Sequence, residues 1–306
     1  MTEAATDLKP GLSRDELLAR VRRLQIRARR LVRVLFLGEY HSVFRGRGIE
    51  FSDVREYLPG DDVRTIEWNV TARTGTTYVK KFVEERELTV YLLVDLSASS
   101  LFSTTAATKR DLAAELATLL AFAALANNDR VGLILFTDRV ELYLRPRKLS
   151  QQALRIAREL VDARPASRGT NLASAADFLM RVAKRPGVAF ILSDFHARDY
   201  EAPLRLAAQK HDVIAISLSD PRELTLPRAG LVRLRDPETD AEVLIDTEDR
   251  RERERFAVAA REAAAARRRS LRALGVDEVA VRTDRSYIEP LMAFFKSRER
   301  RRLVSA

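Results

Sequence analysis

The stretch YLLVDLSASS, residues 91–100, decides the fold. Tyr91 to Val94 are apolar or aromatic, and a short run of that kind bounded by polar residues reads as a buried strand. The pattern then changes at once. Asp95, Ser97 and Ser99 follow, with only Leu96 and Ala98 between them. Where a core strand ends in one carboxylate and two alternating hydroxyls, those oxygens are set at the strand's carboxyl edge, the edge at which doubly wound sheets collect function.

Outward from this stretch the chain alternates between strand and helix patterns. A strand over 88–94 precedes a helix over 109–126. VGLILF (131–136) and RVELYL (139–144) flank Thr137-Asp138 and read as an antiparallel hairpin. Helices near 150–162 and 171–184 lead to the strand VAFILS (188–193). A helix near 200–209 and the strand DVIAISL (212–218) come next. LVRLR (231–235) and AEVLI (241–245) suit a second hairpin. A long helix over 248–273, the strand DEVAVR (277–282) and a helix over 286–296 complete the series. The alternation predicts an α/β fold, a doubly wound and mostly parallel sheet with helices on both faces.

Two segments precede it. Residues 13–37 read as an amphipathic helix, with Ser13 and Glu16 spaced as a capping box. Leu17, Val21, Leu24, Ala28, Leu31 and Leu35 lie on one face, and arginines occupy the other. Packing on its own domain is the leading expectation for this helix, with a membrane-surface or partner contact left open. Residues 40–86 show no helical period. IEFSDVREY and TTYVKKFVEE read as short strands on either side of a Pro59-Gly60 turn. Three units are expected: an amphipathic helix in 1–39, a β-rich segment over 40–86 and the α/β domain over 87–300.

Composition narrows the function classes. The chain has 306 residues, 46% of them hydrophobic, which is enough for a sizeable core. Cysteine is absent, so disulfides, thiol catalysis and zinc–thiolate sites are excluded. The apolar run LLAFAALA (119–126) is far short of the roughly 20 residues of a membrane span, and the N-terminus has no apolar leader core. A cytoplasmic protein is the expectation. The net charge of +10 comes from 54 basic and 44 acidic residues, largely interleaved as in DRRERERF (249–256). Interleaving of that kind reads as solvated helix faces and argues against a nucleic-acid partner.

Asp194, in FILSDFH, stands just past another predicted strand, and Thr170, in SRGTNLASAADFL, stands at the start of a helix. If the strands are parallel, Asp95, Ser97, Ser99, Thr170 and Asp194 reach one edge, and all five offer oxygen. Hard divalent cations such as Mg2+ or Mn2+ prefer such a set. The hydroxyls are neutral, so only two carboxylates would offset the ion, and it would keep an affinity for one more anionic oxygen. Taken singly, each serine or threonine is better read as a loop or helix-cap residue. Their joint placement favours a cation cradle.

DLSAS, then GTN, then an aspartate after an apolar strand resembles the metal-ion-dependent adhesion site of von Willebrand factor A-type domains. The match falls on Asp95, Ser97, Ser99, Thr170 and Asp194. Phe195 departs from it, because glycine often follows that aspartate. Upstream, GRGIEFSDVREYLPGDDVRTIEWNVTAR (46–73) resembles the signature of the domain-of-unknown-function 58 family, whose members carry an A-type domain. Glu67 stands where an aspartate is more usual. The resemblance spans about residues 40–300 and implies a soluble form of a family associated with MoxR-type AAA+ ATPases. An adaptor or chaperone-like role follows from that association alone.

The leading expectation is therefore a non-enzymatic, metal-dependent module that binds an acidic side chain of a protein partner. The first rival is a hydrolase built on Asp95. A haloacid dehalogenase-type enzyme needs a second aspartate where Ser97 stands, and LSASS is no nucleophile elbow. His196 lies beside the proposed site in sequence, without an evident role. The second rival is a nucleic-acid or membrane-surface binder using the Arg-rich helices.

Overall fold

Alternation of apolar residues along β3 (Thr89–Asp95) organises the molecule, because both of its faces are buried. The computed structural model of the protein describes residues 14–33, 40, 43, 50–83 and 87–305. Val90, Leu92 and Val94 enter one hydrophobic cluster, and Tyr91 and Leu93 enter a second on the opposite face. Such a strand needs helices on both sides, and it receives them.

In chain order, α1 (Arg14–Leu31) is followed by β1 (Glu50–Glu56), α2 (Trp68–Thr74), β2 (Tyr78–Val83) and β3. Then come α3 (Lys109–Ala126), β4 (Arg130–Phe136), β5 (Val140–Arg147), α4 (Gln151–Asp162), α5 (Leu172–Val182) and β6 (Val188–Ser193). The remainder is α6 (Glu201–Lys210), β7 (Asp212–Ser219), α7 (Pro221–Leu224), β8 (Leu231–Arg235), β9 (Glu242–Asp246), α8 (Arg250–Ala273), β10 (Asp277–Arg282) and α9 (Ile288–Ser305).

Six strands form the central sheet in the order β10-β7-β6-β3-β4-β5. All neighbours are parallel except β5, which pairs antiparallel with β4 at one edge, as the 131–144 hairpin pattern predicts. From β3 the chain first moves to β4 and later returns to β6 on the other side of β3. The reversal makes the β3–β6 junction a topological switch point. Gly187 permits the close entry of β6: a Cβ there would lie 2.4 Å from the Thr89 carbonyl oxygen.

The face built on Val90, Leu92 and Val94 is covered by α3, α4 and α9, through residues such as Leu116, Ile156 and Phe295. Helix α1 joins the same cluster through Ala28, with Leu17 also buried. Arg20 pairs with Asp111 and Arg27 with Glu115, both on α3. Among the described residues, then, the apolar stripe of α1 packs on its own domain. The proposed Ser13 cap and Leu35 lie outside the described residues. The opposite face is covered by α5, α6 and α8, through Leu179, Leu204 and Leu271.

Strands β1 and β2 pair with each other in a separate two-stranded antiparallel sheet. Between them sits α2, which the missing helical period did not predict. Its start is made by Glu67, whose side chain accepts from the Asn69 amide at 3.3 Å. The last helix also runs beyond the apolar pattern that ends near 296. Charged side chains hold that extension: Arg298 forms a two-pronged pair with Asp212, and Arg301 reaches Asp277.

Candidate cation site at the sheet edge

Parallel pairing of β3 with β6 sets Val94 beside Leu192, so the residues that follow each strand emerge together. Asp95 ends β3, and Asp194 follows Ser193 at the end of β6. Asp95 is 3% exposed and its carboxylate is held at both oxygens. Oδ1 accepts from the Ser97 amide at 2.9 Å, and Oδ2 accepts from the Ser193 hydroxyl at 2.6 Å. Ser97 and Ser99 share a hydrogen bond between their hydroxyls at 3.0 Å, so the alternating serines do point to one place.

Thr170 reaches the same edge by a backbone tie. The Ala98 amide donates to the Arg168 carbonyl at 2.8 Å, and the Asn171 amide donates to the Thr137 carbonyl at 2.8 Å. These bonds fasten the 168–171 loop to the ends of β3 and β4. Asn171 then caps α5 by accepting from the Ser174 amide. The Thr170 hydroxyl itself donates to the Glu238 carboxylate at 2.7 Å rather than to the serines or to Asp95.

Asp194 meets a group that the sequence pattern gave no reason to single out. Lys109, the first residue of α3, is 1% exposed and places Nζ 2.7 Å from Asp194 Oδ2 and 2.6 Å from Glu223 Oε1. A cation in a helix's first turn opposes the helix dipole, so its place there depends on those two carboxylates. Burial disfavours the Asp194 charge, but Lys109, with help from His196, holds its carboxyl below the usual range. The His196 amide also donates to Asp194 Oδ1 at 3.1 Å, while the His196 side chain lies exposed. Burial pushes the Asp95 carboxyl up to about 6, and the Asp194 charge adds to the shift.

Phe195 follows Asp194 with φ +57°, in the left-handed region that favours glycine. A glycine is therefore the easier choice after this aspartate, and the phenylalanine is retained by packing. Phe195 is buried and meets Tyr200 edge-on, with ring centroids 6.2 Å apart.

The donor chemistry fits a hard divalent cation. Asp95, Ser97, Ser99, Thr170 and Asp194 offer only oxygens. Asp194 and Glu223 share the Lys109 ammonium, and Asp95 when ionised adds a further negative charge beside Asp194. Among the described residues, no three His, Cys, Asp or Glu side chains converge in a metal-holding group, so the hydroxyls are essential to any cation here.

These features define a class: a doubly wound α/β protein with an oxygen-lined site where its strand order reverses. The chain belongs to the family described as "Protein of unknown function DUF58", whose model matches residues 53–266. It is 34% identical over 298 residues to "Uncharacterized protein Rv1480" of Mycobacterium tuberculosis, covering 96% of this chain and 93% of that one. A Mycobacterium avium relative, "Uncharacterized protein MAV169", is 40% identical over 133 residues, covering 42% of this chain and 77% of its own length. Among solved structures, BatB from Bacteroides thetaiotaomicron is similar at a TM-score of 0.45 and 16% identity, over 72% of this chain and 100% of that chain. An aerotolerance-related membrane protein from Bacteroides fragilis gives a TM-score of 0.45 at 14% identity, over 70% of this chain and 99% of that one. Among the described residues of the present chain, no helix is long and apolar enough to cross a membrane.

Proposed function

We propose that the protein is a non-enzymatic binding module that captures an acidic side chain of a partner protein in a manner dependent on Mg2+ or Mn2+. The observation that carries this reading is the delivery of Asp95 and Asp194 to adjacent ends of β3 and β6, beside the mutually bonded Ser97 and Ser99. Asp95, Ser97, Ser99, Thr170 and Asp194 would hold the ion. When bound, the ion supplies a positive centre with an affinity for an external anionic oxygen.

The chain's own residues set the terms of that capture. Ser193 and the Ser97 amide orient Asp95. Lys109 and the His196 amide fix both oxygens of Asp194. Burial of these groups lowers the local dielectric, so charge interactions at the site are stronger than in water. The family resemblance supports a MoxR-type AAA+ ATPase as partner, an adaptor or chaperone-like role and a cytoplasmic setting. The 306 residues contain no phosphate-binding glycine loop of the G-x-x-x-x-G-K-[ST] form, so nucleotide hydrolysis by such a loop would belong to the partner.

The test is capture of a purified MoxR-type ATPase by the immobilised full chain. Capture in Mg2+, lost in chelator and lost with Asp95→Ala while circular dichroism is unchanged, is the expected result. Capture that ignores chelator but weakens steeply with added salt would instead identify the Arg-rich surfaces as the contact.

A further inference from the structure

Thr170, one of the five oxygen donors, already donates its hydroxyl hydrogen to a carboxylate of the same chain. That carboxylate belongs to Glu238, 2.7 Å away, at the tip of the β8–β9 hairpin. The tip is built to present it. Asp236 winds the turn by accepting from the Glu238 amide at 2.9 Å and the Thr239 hydroxyl at 2.6 Å. The Asp236 amide donates to the Ala241 carbonyl at 2.8 Å, and Asp240 takes φ +60° to close the loop.

Arg168 fastens this tip to the site. Its guanidinium donates to the Pro237 carbonyl at 2.7 Å and to both oxygens of Asp240 at 3.2 Å. Its own carbonyl accepts from the Ala98 amide inside the DLSAS loop. One residue thus joins the hairpin tip to the serine loop, with Glu238 directed at Thr170.

The anchorage is local. Strands β8 and β9 form a two-stranded sheet of their own, and isolated hairpins are marginal in water. Leu231, Val243 and Leu244 on this hairpin are exposed. Its foot is fixed separately, where Thr247 is buried and Arg253 donates to the Thr247 and Glu248 carbonyls. A segment held at tip and foot can swing about the foot while the six-stranded core stays folded.

We propose that Glu238 is the site's own acidic ligand, occupying the position of an external carboxylate until the β8–β9 hairpin swings aside. This rests on the cation-dependent reading above. The partner must therefore compete with a tethered carboxylate, so a multivalent acidic surface, or one that also engages the freed hairpin, is the class that succeeds. If the hairpin is docked about nine-tenths of the time, apparent affinity for an external carboxylate falls roughly tenfold.

The experiment uses the full chain, with Mn2+ and acetate as probes. Bound Mn2+ is read by loss of the free-ion electron paramagnetic resonance signal, and acetate by its effect on water-proton relaxation at bound Mn2+. Hydrogen exchange of 231–246 supplies a readout independent of both. The expected result has three parts. Wild type binds Mn2+ and Asp95→Ala does not. Glu238→Gln and Glu238→Ala bind acetate at the Mn2+ roughly tenfold more tightly than wild type does. Exchange at 236–241 quickens in both variants. Mn2+ bound by wild type with acetate affinity and exchange unchanged in both variants would overturn the internal-ligand role while leaving the cation reading intact. No Mn2+ binding by wild type would overturn both.

Discussion

Lys109 and Asp194 form an ion pair of 2.7 Å that is almost completely withdrawn from solvent, at the point where β6 ends and α3 begins. The pair defines the electrostatics of the sheet edge. It fixes one of the two proposed cation-binding carboxylates, while the other, Asp95, is held by the neutral Ser97 amide and Ser193 hydroxyl. Glu223 completes the ammonium's surroundings from α7.

Removing the ammonium should expose how much that arrangement matters. Lys109→Met leaves Asp194 buried and unpaired, a loss on the order of 3–5 kcal/mol for a buried pair broken from one side. A divalent cation at the site would supply the missing charge. The expected outcome in urea unfolding is a large destabilisation in chelator that millimolar Mg2+ partly reverses. Equal stability of variant and wild type in chelator would contradict the structural role of the pair.

Phe195 gives a prediction in which the usual order of two substitutions reverses. Ala is ordinarily better than Gly in folded backbone by about 0.5–1 kcal/mol. At φ +57° the preference inverts, because a Cβ is disfavoured there by about 1 kcal/mol. Both truncations lose a buried aromatic ring, a cost of about 3–5 kcal/mol. Phe195→Gly should therefore unfold at a higher denaturant concentration than Phe195→Ala. The opposite order would remove the argument from backbone strain.

Much of this site can be read from the sequence because parallel topology dictates where strand ends go. Asp95 and Asp194 follow apolar runs of the right length, and any parallel pairing brings them to one edge. Lys109 could not be found in that way. At the start of a predicted helix it reads as a solvent-facing cation, and only the placement of α7 and of the end of β6 beside it reveals its partners. Glu238 was hidden for a related reason: the hairpin was legible in LVRLR and AEVLI, but the direction in which it leans is set by Arg168, far away in sequence. Helix α2 escaped because its seven residues show no apolar period and its cap is a glutamate, less usual than aspartate for that task.

His211 predicts a pH dependence of stability. The residue is 3% exposed, its ring meets Tyr91 edge-on, and neither ring nitrogen has a hydrogen-bond partner among the described residues. Burial, with Lys210 adding to it, pulls its pKa down to about 4. In the unfolded chain an ordinary histidine titrates near 6.5. The folded state therefore favours the neutral ring. Its contribution is complete above about pH 6.5 and is lost as pH falls toward 4, by an amount on the order of 3 kcal/mol. The check is urea unfolding of wild type and His211→Phe from pH 7 to pH 4. Wild type should lose stability relative to the variant across that window, and a constant difference would contradict the assignment.

The most direct test of the central claim is thermal unfolding of wild type and Asp95→Ala with and without Mg2+ or Mn2+. A cation at ten times its dissociation constant stabilises the native state by about 1.4 kcal/mol. For a chain of this size that is a rise of roughly 2–4 °C in the midpoint. The account predicts that rise in wild type and none in Asp95→Ala. The same rise in both, or none in wild type at saturating cation, would contradict a cation site built on Asp95.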